Sequence, residues 1–210
     1  MIDVESALKI IRENIGRGGR TRIRLERSLD YIVAEDVISP IDSPPFDKSA
    51  MDGFAVNSDD LADVTDENPV KLKIDNVIAA GDRQVNINKG RTARIMTGAP
   101  LPSGCNAVVQ LEHVQVDGDY AIFTYQPRGL LNIVEKGSDI KKGQRVIIEG
   151  TRLRPVEIGI IASLGINEIS VYERPSVAVL STGEELIEPG EKLSSGKVYN
   201  ANTPVSYTHL

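Results

Sequence analysis

The sequence predicts an α+β chain, on three observations. Residues 3–15 and 155–164 carry apolar side chains at helical spacing between recognisable caps. The stretch between them, about 47–139, consists of short alternating or apolar runs punctuated by Gly, Asn and Asp, the pattern of a small β domain. A last apolar run, Val177, Ala178, Val179 and Leu180, ends in Ser181-Thr182-Gly183, as a buried parallel strand does when it delivers a loop at its carboxyl end.

Taken in order, Asp3 caps a helix whose Val4, Ala7, Leu8, Ile11 and Ile15 fall on one face, and Gly16 with Gly18-Gly19 ends it. Residues 21–27 alternate like an exposed strand. The spacing over 29–37 predicts a short helix leading into the Ser39-Pro40 and Pro44-Pro45 punctuation. Val70, Leu72 and Ile74 alternate, Ala93 and Ile95 follow, and Ala107 to Val109 reads as a buried strand. Asp117-Gly118 joins Val114 and Val116 to Tyr120, Ile122 and Thr124 as a hairpin. Pro155 opens a second helix through Val156, Ile160, Ile161 and Leu164, with Gly165 as its stop, and a strand runs from Ile169 to Tyr172. No helix is expected after Asn202.

Composition narrows the function. With 210 residues, 40% hydrophobic and 26% charged, the chain has room for one or two packed cores. A net charge of −6 and no basic cluster interleaved with aromatics argue against nucleic acid as a partner. The lone Cys105 has no partner for an internal disulfide, which suits a reducing compartment. No apolar run approaches the roughly 20 residues needed to cross a bilayer, and no basic leader precedes the first helix. A cytoplasmic protein without membrane contact is expected.

The densest chemistry lies in Pro45-Phe46-Asp47-Lys48-Ser49-Ala50-Met51-Asp52-Gly53-Phe54-Ala55-Val56, where two carboxylates, a hydroxyl and a glycine sit between a proline turn and a strand-like run. With Ile95-Met96-Thr97-Gly98-Ala99-Pro100, Gly137-Ser138-Asp139-Ile140 and Leu180-Ser181-Thr182-Gly183-Glu184-Glu185-Leu186, this segment closely resembles the molybdopterin molybdenumtransferases, the MoeA/gephyrin family of molybdenum cofactor assembly. The resemblance implies a linking α+β domain (1–46 and 140–172), an inserted mostly-β domain (47–139), and the first strand of a truncated α/β molybdopterin-binding domain (173–210). It also implies the reaction: molybdate is loaded onto the dithiolene sulfurs of adenylylated molybdopterin, AMP is released, and a homodimer does the work, with other proteins of the same biosynthesis as further partners.

On that reading Asp52, Asp139 and Glu185 are the catalytic acids. Alone they would repel an anionic substrate, so a divalent cation is expected, with Asp52 and Glu185 as ligands and Mg²⁺ as the ion. Ser49, Thr97, Gly98, Ser181, Thr182 and Gly183 offer hydroxyls and backbone N–H groups to substrate phosphate or oxyanion. Each has a plainer use. A Ser or Thr hydroxyl in a turn commonly bonds to nearby backbone, and a surface carboxylate is commonly only solvated. Asp47 and Ser49 have the further option of shaping their loop, and Gly53 of freeing the backbone to leave it.

Several signals fail. The run 190–197 has five residues between its glycines, where a phosphate-binding loop needs four, and Val198 stands where Ser or Thr would bind metal. Cys105 has no orienting acid nearby in sequence, and two His with one Cys make no zinc site. The closing residues, 206–210, depart from the family pattern, so the chain reads as an amino-terminal fragment. A non-catalytic scaffold of the same fold, or a general anion- or nucleotide-binding module, are the rival functions.

Overall fold

The computed structural model describes residues 2–16, 18–127 and 131–209. In chain order the elements are α1 (Val4–Asn14), β1 (Arg20–Arg24), β2 (Val37–Ile38), β3 (Lys48–Ser49), β4 (Gly53–Val56), β5 (Val70–Ile78), β6 (Arg91–Ile95), β7 (Ala107–Gln110), β8 (Val114–Asp117), β9 (Tyr120–Phe123), β10 (Ile133–Val134), β11 (Arg145–Ile147), α2 (Pro155–Ser163), β12 (Glu168–Tyr172), β13 (Leu186–Ile187), β14 (Val198–Tyr199) and α3 (Asn202–His209). Helices and strands mix, with strands dominant, as the α+β reading requires. Contacts divide the chain into two units, Arg22–Val171 and the pair Met1–Thr21 with Tyr172–Leu210.

In the larger unit a six-stranded sheet runs β7-β4-β6-β5-β9-β8, antiparallel throughout except for the parallel β5/β6 pair. Its two faces bury separate clusters. Phe54, Val56, Leu72, Val109 and Phe123 centre one, with Phe54 and Phe123 edge to face at 6.2 Å. Ala55, Ile78, Ala93, Ile95 and Val108 centre the other. Successive strand residues alternate between the clusters, as the period of two demands. A third cluster gathers Leu25, Val33, Val37, Ile147, Leu153, Ile161, Ile169 and Val171, and contains no residue from 47–139.

Helix α2 forms as its sequence predicts, with Pro155 in the first turn and Gly165 beyond the end at φ +76°. Glu157 ties its start. The carboxylate accepts from Arg154 N at 3.0 Å and takes both sides of the Arg154 guanidinium, at 3.1 and 2.6 Å, and this pairing pulls its pKa down to about 2.

Residues 29–37 are not the predicted helix. Their backbone groups go to distant chain instead: Asp30 N donates to Leu153 O, Val33 N to Thr151 O and Ala34 N to Ser170 O. Bridges at Ile32 and Val33 and the short β2 result, so tertiary pairing overrides local spacing.

In the smaller unit α1 begins at the expected cap, where Asp3 Oδ1 accepts from Ser6 N at 2.8 Å. Residues 177–180, expected as a buried parallel strand, form none, and Val177 and Leu180 are 59% and 86% exposed. The physical reason is the want of flanking strands among the described residues, since such a run is stable only between neighbours. The parallel pair of this unit is β13/β14, two residues a side. Residues 202–209, expected to be irregular, are helical in α3, with Asn200 Oδ1 accepting from Thr203 N at 3.2 Å at its start.

Candidate active site

Three of the four motifs are knitted into one loop cluster in the larger unit. Ser49 N donates to Ala99 O at 3.0 Å, Gly98 N to Ser49 O at 2.8 Å and Leu101 N to Asp47 O at 2.9 Å, which lays the Ile95-to-Pro100 loop along the Asp47-to-Gly53 loop. β10 pairs with β3 and brings the third motif in behind it. Gly137 N then donates to Pro44 O and Asp139 N to Ser43 O.

Asp52 stands at the turn between β3 and β4, and its Oδ1 accepts from both Thr97 N and Thr97 Oγ1, each at 2.8 Å. The backbone N–H first and the hydroxyl second hold its pKa below the usual carboxylate range, with the Arg94 charge adding a little. Asp52 is therefore ionised at neutral pH. No described group donates to Oδ2, so one oxygen remains for a ligand. The Asp52 carbonyl accepts from Leu111 N at 3.2 Å and Ala50 N donates to Asn132 O at 2.9 Å, which fixes the turn to β7 and to the start of β10.

Gly53 is required for space. It pairs with Gln110 in the β4/β7 ladder, and a Cβ there would collide with the Val109 carbonyl oxygen. The sequence suggested backbone freedom as the reason, and close approach of two strands replaces it.

The predicted anion donors have other duties here. Ser49 is buried, with its hydroxyl donating to Met51 O. Thr97 gives both donors to Asp52, and the Gly98 N–H goes to Ser49 O, with Gly98 turning at φ +82°. These residues shape the loop that presents Asp52.

Asp139 lies in a loop stapled at both ends by acids that sequence reasoning had not assigned to it. Asp47 Oδ1 accepts from Lys136 N at 2.7 Å, and Asp42 Oδ1 from Lys142 N at 2.8 Å. That second bond, with Lys136 Nζ 3.5 Å from Asp42 Oδ2, keeps the Asp42 pKa low. Nothing in the one-dimensional pattern pairs position 42 with 142.

In the smaller unit Glu185 sits over the backbone at Gly183, where a Cβ would stand 2.6 Å from Glu185 Oε1. Ser181 Oγ shares a 2.7 Å hydrogen bond with Thr203 Oγ1, and Lys197 Nζ donates to Glu184 O. Thr182, the remaining predicted anion donor, lies in the exposed stretch between them. Among the described residues no cluster of three or more His, Cys, Asp or Glu is poised to hold a metal. Cys105 is inert as expected, since burial pushes its thiol up to about 12.

Residues 2–165 match the family model described as MoeA N-terminal region (domain I and II). The chain belongs to the MoeA family. Among its relatives are the molybdopterin molybdenumtransferases of Haemophilus influenzae, 41% identical over 86% of this chain and 44% of that protein, and of Staphylococcus epidermidis, 37% identical over 97% and 49%. A crystal structure of a molybdopterin biosynthesis MoeA protein from Pyrococcus horikoshii superposes with a TM-score of 0.90 at 34% identity, covering 98% of this chain and 53% of that one. The MoeA-family chain thus spans about half the length of the relatives it matches. Among its described residues no helix is long and apolar enough to cross a membrane.

Proposed function

We propose that this chain supplies part of the active cleft of a molybdopterin molybdenumtransferase, which inserts molybdate into adenylylated molybdopterin and releases AMP. One observation carries the reading: the MoeA-family motif presents an ionised Asp52 whose Oδ1 is fixed by Thr97 and whose Oδ2 is open. Mg²⁺ fits a site of this kind, because it takes one or two protein carboxylates and leaves the rest of its shell to water and substrate oxygens. Asp52 and Glu185 are its ligands in this reading, and the cation neutralises charge on the phosphate being cleaved. Asp139 is the third acid, placed by the Asp42 and Asp47 staples. Ser181, Thr182 and Gly183 remain the candidate oxyanion contacts.

The domain reading proposed is a linking domain (1–46 and 140–172), a β domain (47–139) and the start of an α/β domain (173–210). Its support is the segregation of apolar clusters, two drawn wholly from within 47–139 and one wholly from outside it. A homodimer is part of the proposal, favoured by the exposed apolar face of α1, where Val4 and Ile15 are 75% and 70% exposed. Other proteins of molybdenum cofactor synthesis as partners, and a cytoplasmic location, belong to the same reading.

The test uses a full-length protein carrying this segment. Asp52→Asn should abolish AMP release while leaving the melting temperature unchanged, and chelator should suppress the wild-type reaction until Mg²⁺ restores it. Full activity in Asp52→Asn, or in excess chelator, would refute the assignment. The 210-residue chain alone should show no AMP release.

A further inference from the structure

A cavity of about 420 Å³ shares a wall with the Asp52 turn, and none of the residues so far given a role in the reaction lines it. Its described lining is Val109, Gln110, His113, Tyr125, Leu131 and Asn132. The connection to the turn is through hydrogen bonds. Gln110 pairs with Gly53 in the ladder, its side-chain amide rests on the Met51 sulfur, and the backbone carbonyl of Asn132 accepts from Ala50 N. Asn132 turns here with φ at +55°, in the left-handed region that Asn adopts more readily than most residues.

The lining has a consistent chemistry. Two aromatic rings, His113 and Tyr125, stand with centroids 6.4 Å apart at 44°. Each of two side-chain amides commits one N–H within the chain, Asn132 to Val108 O at 2.9 Å and Gln110 to the Met51 sulfur, which leaves its second N–H and its oxygen, and Val109 and Leu131 contribute an apolar floor. Aromatic rings with amides at the edge suit a flat, nitrogen-rich heterocycle, which stacks on the rings and hydrogen-bonds along its rim. A bare oxyanion would leave the rings without use.

We propose that this cavity is the seat of a planar heterocyclic ring of the substrate, with His113 and Tyr125 as its stacking residues. The inference rests on the functional reading above, whose substrate carries two such rings, the pterin and the adenine; the shared chemistry is a fused nitrogen heterocycle. The ladder then sets its meaning. Because position 110 lies opposite position 53, a ring anchored there keeps its attached phosphate or dithiolene arm beside Asp52.

The experiment is equilibrium binding to this 210-residue chain with no metal or molybdate present, so its outcome is independent of AMP release. One arm titrates 6-hydroxymethylpterin by its own fluorescence, and the other titrates AMP by chemical-shift changes. Binding in one arm, weakened about tenfold or more by Tyr125→Leu or His113→Ala and kept by Tyr125→Phe, is the expected result and identifies which ring occupies the cavity. Melting curves check that the variants fold; both side chains are exposed, so they should. Binding in neither arm, or binding that the ring-removing variants leave intact, overturns the proposal while leaving the Asp52 assignment to its own test.

Discussion

Asp52 owes its low pKa chiefly to Thr97, which reaches it through two separate donors, and the two can be told apart. Thr97→Val removes the hydroxyl and leaves the backbone N–H. Asp52 should then titrate at higher pH than in the wild type but still below an ordinary aspartate, and Thr97→Ser should restore it; a carboxyl NMR titration reads both. An unshifted Thr97→Val would mean the hydroxyl does not reach the carboxylate. Gly53→Ala tests the neighbouring position. Its Cβ meets the Val109 carbonyl, so β4 and β7 must part. The cost should be about 1–3 kcal/mol in a denaturant titration, the usual range for overpacking, and a smaller loss would show that the ladder yields. Asp52 stood out only through the family motif that carries it, since a surface carboxylate taken singly is commonly just solvated. The uses of Ser49, Thr97 and Gly98 were not legible, since a hydroxyl or N–H that binds an anion and one that binds its own loop have the same residue type.

Elements whose reasons are local were readable in advance. α1, α2 and the β8/β9 hairpin are specified by a cap, a proline, a glycine or an Asp-Gly turn within a few residues of themselves. Elements defined by partners far along the chain were not. Residues 29–37 have helical spacing but become bridges because Thr151, Leu153 and Ser170 take their backbone, and 177–180 has strand composition with no described strand beside it. α2 also carries a pH signature. Because the folded pKa of Glu157 is depressed to about 2 from an ordinary 4.5, its pairing with Arg154 stabilises the fold fully above the unfolded value and loses that contribution as pH falls from about 4.5 towards 2. The melting-temperature gap between wild type and Glu157→Gln should be widest near neutrality and close across that window. A gap constant down to pH 2 would show that the contribution comes from packing.

For the molecule as a whole, the two units should differ in resistance to attack. Residues from about 173 onward offer short pairs and an exposed apolar run, whereas 47–139 is built on a six-stranded sheet with a cluster on each face. Limited proteolysis should cut the former first and leave the latter whole; equal resistance would refute the difference. The same sheet enters and leaves its surroundings at one point, where Ser43 N donates to Ile140 O at 2.7 Å and Ile140 N returns to Ser43 O at 3.1 Å. To the core formed by 23–37 and 146–171, everything between those two residues is a single loop tied off at its neck. The entropy of tying it rises only with the logarithm of its length, about 0.6 kcal/mol for each doubling. The scaffold therefore scarcely senses how large the excursion is, and new chain ends opened at the Asp117-Gly118 turn would leave the neck closed by its own hydrogen bonds, those of Ser43 with Asp139 and Ile140 and of Pro44 with Gly137.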